Sequence, residues 1–200
     1  MFEYYYPDAD QVLANPIGKV IVADGRNHLE LTSDRFDIIV TDPPPPIESS
    51  GASVITSREY YEAGHDHLNP GGVMMQWMPW GSTIEEYKEH VRTFASVFPE
   101  VTVLFGPGGY GSFLMGSDEP ISFPEASTRE VLARPGILDN ISTAYDSPAT
   151  DIDGWIDVIA HQTWISGDAV ETFVGDGPLI TDDRPRPEYF LLRRWLGLDD

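Results

Sequence analysis

The stretch FDIIVTDPPPP, residues 36–46, decides the fold that the sequence predicts. Its first part, FDIIVT (36–41), is a short, mostly apolar run that ends at Asp42. Runs of this kind are typical of strands buried in a parallel sheet. The prolines that follow cannot donate backbone hydrogen bonds, and they hold the chain in an extended path. We therefore expect a strand over 36–41 and a stiff loop that mounts Asp42 just beyond it.

Strands and helices alternate on both sides of this stretch. Apolar runs predict four more strands, at 19–23, 73–78, 101–105 and 112–115. A helix is predicted from Ser57 to Leu68, where Asn69-Pro70-Gly71-Gly72 would end it. A second helix begins at Ser82 or Thr83, and its apolar face holds Ile84, Tyr87, Val91, Phe94 and Phe98. This alternation predicts an α/β fold with a mostly parallel sheet. We expect one domain over residues 1–200, with a core at about 17–118 and a tail at 119–200 packed on it.

The charge balance excludes several classes of partner. Thirty-three acidic residues against twelve lysines and arginines give the 200-residue chain a net charge of −21. A nucleic-acid binder needs a basic face, and an anionic membrane repels such a chain. We favour adaptation to concentrated salt as the reason for the charge, because the acids are spread along the whole chain. The alternative is an acidic cleft for a polycation.

The absence of cysteine and of long apolar segments excludes further kinds of site and of location. Without cysteine, thiolate nucleophiles and Cys-based zinc sites are excluded. No apolar run approaches the ~20 residues that span a bilayer. The first residues lack the basic and apolar regions of a signal peptide. We therefore expect a cytoplasmic chain that makes no membrane contact.

Three polar side chains fall at the ends of predicted strands. Asp24 follows the first strand, Asp42 follows the second, and Gln76 lies within the third. Open parallel sheets bind ligands beyond the carboxyl ends of their strands. Each residue alone also fits a structural role, since an aspartate after a strand is commonly a turn former or a helix cap. Their recurrence favours a binding site, with Asp42 on its stiff loop as the leading candidate for a catalytic carboxylate.

Three other motifs are interpreted as structural. Residues 106–111 match G-x-G-x-x-G, but a strand follows where a dinucleotide site needs a helix, so we expect a hairpin turn. His65 and His67 are two apart on a helix and do not face each other, which favours a solvated helix end over a metal site. The group 182–184 (DDR) is read as an acid–arginine pair rather than a cation site. No serine or histidine lies in a nucleophile setting such as G-x-S-x-G.

Together these pieces resemble the spermidine synthase family, the polyamine aminopropyltransferases, and most closely its long spermidine synthase-like members. The resemblance covers most of the chain in the expected order, through ADGRNHLELT (23–32), FDIIVTDPPPPIESSGAS (36–53), SREYYE (57–62), HLNPGGVMMQWMPW (67–80), GPGGYGSFLMGSD (106–118) and LITDDRPRPEY (179–189). It implies a Rossmann-like fold of the S-adenosylmethionine-dependent methyltransferase type, usually in a dimer. It also implies transfer of an aminopropyl group from the co-substrate decarboxylated S-adenosylmethionine to a diamine such as putrescine.

The resemblance also implies roles for individual residues. Asp42 stands at the catalytic aspartate, Asp24 with Gly25 at the pair that contacts the adenine, and Gln76 at a glutamine of the amine pocket. Tyr60 and Tyr61 match a tyrosine pair that we expect to be largely packing. The attacking amine is nearly all protonated at pH 7, since a lysine-like pKa is ~10.4. A carboxylate can hold this cation, orient it and accept its proton.

Two departures from the family pattern lead to alternatives. The usual Asp-Ser-Ser-Asp-Pro loop runs Asp42-Pro43-Pro44-Pro45-Pro46 here, so Pro45 replaces the aspartate that helps to hold the diamine. The glycine-rich loop and the acidic strand end that grips the ribose would lie upstream of residue 1.

The chain thus resembles the C-terminal part of the enzyme, without the first two strands of the sheet. We expect a homodimer or association with a chain that bears the missing N-terminal half. The alternatives are a non-catalytic remnant or partner subunit and, less favoured, an S-adenosylmethionine-dependent methyltransferase.

Overall fold

The chain divides into two compact units, Met1–Thr32 and Ser33–Asp200. The computed structural model describes residues 9–43, 51–80, 83–106, 109–145 and 149–198. The first unit holds two short helices, α1 (Ala9–Leu13) and α2 (Gly25–Leu31). The organisation of residues 1–200 as one domain with a core and a tail stays a prediction.

The strand expected at 19–23 does not form, and these residues run as an irregular segment before α2. Val22, in the middle of the apolar run, is 99% exposed. An extended segment needs a neighbouring strand to satisfy its backbone hydrogen bonds, and the described residues of this unit contain none. The prediction is wrong here because an apolar run favours a strand only where a partner is present.

The second unit is built on a five-stranded sheet with the order β1-β2-β4-β3-β5. Its strands are β1 (Phe36–Thr41), β2 (Leu68–Met78), β3 (Glu100–Phe105), β4 (Ser112–Ser117) and β5 (Thr163–Ser166). β1 and β2 are parallel, whereas the other three pairs are antiparallel. The α/β class is confirmed, but the sheet is mixed rather than mostly parallel over the described strands. The reason is that β3 and β4 form a hairpin, in which consecutive strands must run in opposite directions.

The glycine-rich segment 106–111 is the turn of that hairpin, as predicted. The Gly106 N–H donates to the Gly111 carbonyl at 3.0 Å, although residues 107–108 lie outside the described ranges. Gly111 has φ +68°, and a Cβ there would lie 2.4 Å from the Met78 carbonyl oxygen. Only glycine combines that conformation with so close an approach of two backbones. The motif therefore serves the strand connection.

Helices cover one face of the sheet and continue along the C-terminal half. They are α3 (Arg58–Asp66), α4 (Ile84–Ala95), α5 (Glu125–Leu132), α6 (Ile137–Tyr145), α7 (Ile152–Ala160), α8 (Asp168–Val174) and α9 (Phe190–Leu196), with 3-10 turns at Ala52–Ile55 and Arg186–Tyr189. The Ser57 side chain caps α3 by accepting from the Tyr60 N–H, and Thr83 caps α4 in the same way. Ser82, the other predicted cap, lies outside the described residues. Among the described residues, no helix has both the length and the apolar character that a membrane crossing needs.

The core lies between α4 and the sheet. Four of the five residues of the predicted apolar face, from Tyr87 to Phe98, are buried, whereas Ile84 at the first helical position is 56% exposed. The Phe94 and Phe98 rings pack at a tilt of 31°, with centroids 4.6 Å apart. They lie directly over Gly116 of β4, where a Cβ would come within 2.3 Å of the Phe98 ring. The missing side chain on β4 thus lets Phe94 of α4 and Phe98, just after the helix, pack against the sheet.

β2 begins earlier than the sequence predicts. Leu68 already pairs with Phe36, and the register then shifts before Ile38 pairs with Val73. The residues expected to form a turn, 69–72, are accommodated at this irregularity, where Gly71 has φ +77°. A turn-like sequence can remain inside a strand as a bulge, which explains the difference in the boundary.

The C-terminal segment packs against α3 and α4. Ile180 is fully buried, its N–H donates to Thr93 Oγ1 at 2.9 Å, and its carbonyl accepts from the Arg58 N–H at 2.9 Å. The predicted acid–arginine group beside it forms a turn in which Thr181 and Arg184 bond through their backbones. A second, smaller core lies under α5–α7 and contains the buried residues Leu132, Ala149, Trp155 and Ile156.

We expect Gly116→Ala to lower the free energy of unfolding by about 1–3 kcal/mol, because the added methyl group overlaps the Phe94 and Phe98 rings. Gly64→Ala is the matched control. Its methyl group would meet Met74 Sδ at 2.5 Å, but a thioether end can move, and alanine favours the helix by roughly 0.5–1 kcal/mol. Urea unfolding measures both. A Gly116→Ala protein as stable as the Gly64→Ala protein would contradict this account of the core.

Candidate active site

The parallel pairing of β1 with β2 brings two of the predicted site residues to one edge of the sheet. Thr41, the last residue of β1, is the register partner of Gln76 in β2. Asp42 follows Thr41 directly and is exposed, and Pro43 after it is buried. An exposed carboxylate at the carboxyl end of a parallel strand occupies the position where open sheets bind ligands. Pro44, Pro45 and Pro46 lie outside the described residues.

Gln76 is a polar side chain in a fully buried position. It is 0% exposed and lies on the same face of β2 as the buried residues Met74 and Met78. Its Nε2 donates to the Trp77 carbonyl at 3.3 Å. Its Oε1 is buried and has no hydrogen-bond partner among the described residues. A buried acceptor without a donor costs about 1–3 kcal/mol, so the amide oxygen is suited to a ligand that donates a hydrogen bond.

Tyr60 and Tyr61 differ in what their hydroxyls do. Tyr61 is fully buried, its ring meets Phe94 edge-on at 4.9 Å, and its hydroxyl has no hydrogen-bond partner among the described residues. Burial, followed by the nearby Tyr60, raises the pKa of the Tyr61 hydroxyl far above its usual range. Tyr60 Oη, in contrast, lies 2.7 Å from Thr41 Oγ1 at the end of β1. The expectation of packing describes Tyr61, whereas Tyr60 also makes a polar contact beside Asp42 that the sequence did not reveal.

An aromatic cluster lies beyond the carboxyl end of β2. Trp80 is 46% exposed and stands 5.7 Å from Tyr87 and 6.3 Å from Trp164, measured between ring centroids. Tyr87 is fixed by a 2.6 Å hydrogen bond between its hydroxyl and Ser112 Oγ. Burial raises the Tyr87 pKa, and the bond to Ser112 offsets part of the rise. Aromatic faces attract ammonium groups, so this cluster adds a surface that an amine could approach. Sequence reasoning placed Tyr87 in the core and missed the cluster.

Asp24 and Gly25 lie in the other unit. Asp24 Oδ1 accepts a 2.8 Å hydrogen bond from the Asn27 N–H, so this side chain caps α2, for which Gly25 is the first residue. Asp24 also lines an open cleft of about 450 Å³ together with Asn27 and His28. A capping carboxylate at the mouth of a cleft fits both the structural reading and the adenine contact. Its role toward a nucleoside stays a prediction.

His65, in the last turn of α3, and His67, directly after the helix, have protein partners. His65 Nε2 lies 2.8 Å from Asp118 Oδ1, and His67 Nδ1 lies 2.8 Å from the Ala63 carbonyl. The helix end is thus half-buried and hydrogen-bonded rather than fully solvated. Within the described ranges, His, Asp and Glu side chains form no group of three that could hold a metal ion.

Comparison with known proteins decides the family. A sequence profile described as the spermine/spermidine synthase domain matches residues 2–105, the segment that carries Asp24, Asp42 and Gln76. The chain belongs to the spermine/spermidine synthase family. Among its relatives is a polyamine aminopropyltransferase of Aeropyrum pernix, 30% identical over 115 residues, which are 56% of this chain and 35% of that protein. Another, from Shigella sonnei, is 28% identical over 141 residues, 68% of this chain and 48% of that protein.

Solved structures show the same fold. A probable spermidine synthase from Corynebacterium glutamicum superposes with a TM-score of 0.58 and 22% identity, over 88% of this chain and 59% of that one. A spermidine synthase in complex with the transition-state analogue AdoDATO gives a TM-score of 0.55 and 18% identity, over 86% of this chain and 54% of the other. The Rossmann-like fold expected from the sequence is confirmed. The chain spans about half the length, or less, of the curated relatives it matches.

We expect Gln76→Met to raise the free energy of unfolding by about 1 kcal/mol, because it removes a buried acceptor that has no donor and nearly conserves volume. Urea unfolding measures the change. Met74→Leu, an apolar exchange at a neighbouring buried position of the same strand face, is the control and should cost less than about 1.5 kcal/mol. A clear loss of stability in Gln76→Met would show that the amide is satisfied within the folded protein and has no need of a ligand.

Proposed function

We propose that the protein transfers an aminopropyl group from decarboxylated S-adenosylmethionine to an amine acceptor, with Asp42 and Gln76 on the amine side. One observation supports the proposal: the strand register sets Thr41, the residue before the exposed Asp42, opposite Gln76, whose buried amide oxygen has no partner among the described residues. Membership of the family supports the reaction class. The curated relatives are themselves named polyamine aminopropyltransferases.

The reaction needs a group that manages the amine's proton. At pH 7 a primary amine is almost entirely its ammonium form, because its pKa is ~10.4. The nitrogen must lose a proton before its lone pair can form a bond to the carbon next to the sulfonium. As that N–C bond forms, the C–S bond breaks, and the sulfur leaves as a neutral thioether, methylthioadenosine. Asp42 is suited to hold the cation and to accept the proton, since it is an exposed carboxylate on a fixed strand end.

Gln76 and the aromatic cluster would orient the acceptor. An amine or ammonium hydrogen can bond to the Gln76 amide oxygen, which relieves its unsatisfied buried position. Trp80, 46% exposed beyond the same strand, offers a ring face to the cation. The net charge of −21 would also concentrate polycations near the protein. The substrate is therefore proposed to be a small polyamine.

The nucleoside side of the reaction rests on Asp24 and Gly25. The cleft that Asp24 lines in the first unit supports a role in binding decarboxylated S-adenosylmethionine. We infer association with a second copy of the chain. Light scattering of the purified protein tests that inference.

The loop sequence bears on which amine is the acceptor. Where the family pattern has a second aspartate, this chain has Pro45, which carries no charge for the far end of a diamine. We propose a diamine or longer polyamine acceptor that depends less on that contact than putrescine does. A panel of amines of increasing length, followed by mass spectrometry of the products, identifies it.

We expect Asp42→Asn to lower turnover of the full-length protein by at least about 100-fold, because asparagine cannot accept the amine proton. Binding of methylthioadenosine, measured by calorimetry, should change little, since the substitution is isosteric and lies on the amine side. Release of methylthioadenosine measures turnover. Asp37→Asn, in the same strand, is the control and should keep its activity, because the amide oxygen can still accept the 2.8 Å hydrogen bond from Asn69.

Two outcomes would reject the proposal. Unchanged turnover in Asp42→Asn would remove the assigned base. Methylation of the acceptor with S-adenosylmethionine, in place of aminopropylation with the decarboxylated form, would assign the protein to methyl transfer.

A further inference from the structure

The end of β1 is held by a buried pair of hydroxyls that the proposed mechanism does not use directly. Thr41 Oγ1 and Tyr60 Oη lie 2.7 Å apart. Thr41 is 8% exposed and Tyr60 is 6% exposed, so water competes little for this bond. Hydrogen bonds shielded from water are stronger than exposed ones. The bond therefore ties the last residue of the strand to helix α3.

Tyr60 is itself firmly mounted. Its N–H donates to Ser57 Oγ at 3.3 Å in the cap of α3, and Ser57 is fully buried. The first N–H of the helix, from Arg58, donates to the Ile180 carbonyl at 2.9 Å. The helix start is thus bonded to the C-terminal segment as well as capped, and the Tyr60 hydroxyl meets Thr41 from a fixed position.

The prolines that follow Asp42 cannot hold it in place through backbone N–H groups. Residues 43–46 are all prolines and carry no N–H group. A residue that precedes proline is also confined to extended backbone conformations. Thr41 is therefore the neighbour of Asp42 whose side chain can anchor the strand end, through its contact with Tyr60.

We propose that Thr41 and Tyr60 are positioning residues for Asp42: their hydroxyl pair fixes the strand end from which the carboxylate reaches the amine. This inference rests on the proposed function for its kinetic consequence, but its structural half can be tested alone. Small displacements of a reacting group lower the rate steeply while leaving binding nearly intact. The expected signature is a loss of kcat without a change of KM.

The test compares four single variants and one double variant of the full-length protein. Tyr60→Phe and Thr41→Val each remove one hydroxyl and keep the packing, and each should lower kcat about tenfold at unchanged KM. Thr41→Ser restores a hydroxyl and should keep most of the activity. Tyr61→Phe is the matched control, because it removes a buried hydroxyl from the next residue of the same helix, one without a partner among the described residues. The Tyr60→Phe/Thr41→Val double variant should be little worse than either single one.

Hydrogen–deuterium exchange of peptides covering 36–43 gives a readout that needs no activity. Exchange at the end of β1 should be faster in Tyr60→Phe and Thr41→Val and unchanged in Tyr61→Phe. The variants are compared under conditions equally far from their unfolding midpoints, so that global stability does not cause the difference. Unchanged exchange in the first two variants would overturn the positioning role, as would equal losses of kcat in Tyr60→Phe and Tyr61→Phe. An inactive wild-type protein would refute the proposed function, and the exchange result would still decide whether the pair holds the strand end.

Discussion

The candidate site depends on the register in which β1 runs beside β2. With Thr41 opposite Gln76, the last residue of one strand and the buried amide of the next share one edge of the sheet. A slip of one residue would turn Gln76 to the opposite face. Side-chain hydrogen bonds at the start of the β1–β2 pair oppose such a slip. Arg35 donates to the Leu68 carbonyl at 2.8 Å, and Asn69 Nδ2 donates to Asp37 Oδ1 at 2.8 Å.

The same register puts a polar side chain where packing favours an apolar one. Met74 and Met78, the neighbours of Gln76 on its strand face, are fully buried, and so is Leu114 across the β2–β4 pair. A methionine would complete this surface without leaving an acceptor unsatisfied. Proteins break local rules of this kind mainly at functional sites. The cost of Gln76 to the folded state is therefore the physical argument for a ligand at this position.

Much of this could be predicted from local signals. The strand at 36–41 has the predicted bounds, the strand predicted at 101–105 begins one residue earlier, at Glu100, and the α3 cap is at Ser57 as predicted. The position of Asp42 at the end of β1 could be predicted because an aspartate followed by prolines marks a strand end. The strand predicted at 19–23 was wrong because a strand needs a neighbouring strand, which the local sequence does not specify. The bond of Tyr60 to Thr41 joins residues 19 apart through the packing of a helix on a strand, and no spacing rule encodes it.

The site's support also reaches beyond the segment that the family profile matches, residues 2–105. Arg186 bonds to Glu89 of α4 at 2.6 Å, and Glu89 is only 4% exposed. Burial raises the pKa of Glu89, and the charge of Arg186 offsets part of that rise. Glu188 accepts from the Gly51 N–H at 2.9 Å and also bonds to the Ser53 hydroxyl. Arg193 also approaches Glu89, at 3.8 Å, so two arginines compensate this buried carboxylate. The charged C-terminal segment thus helps to hold α4 and the 3-10 turn at Ala52–Ile55.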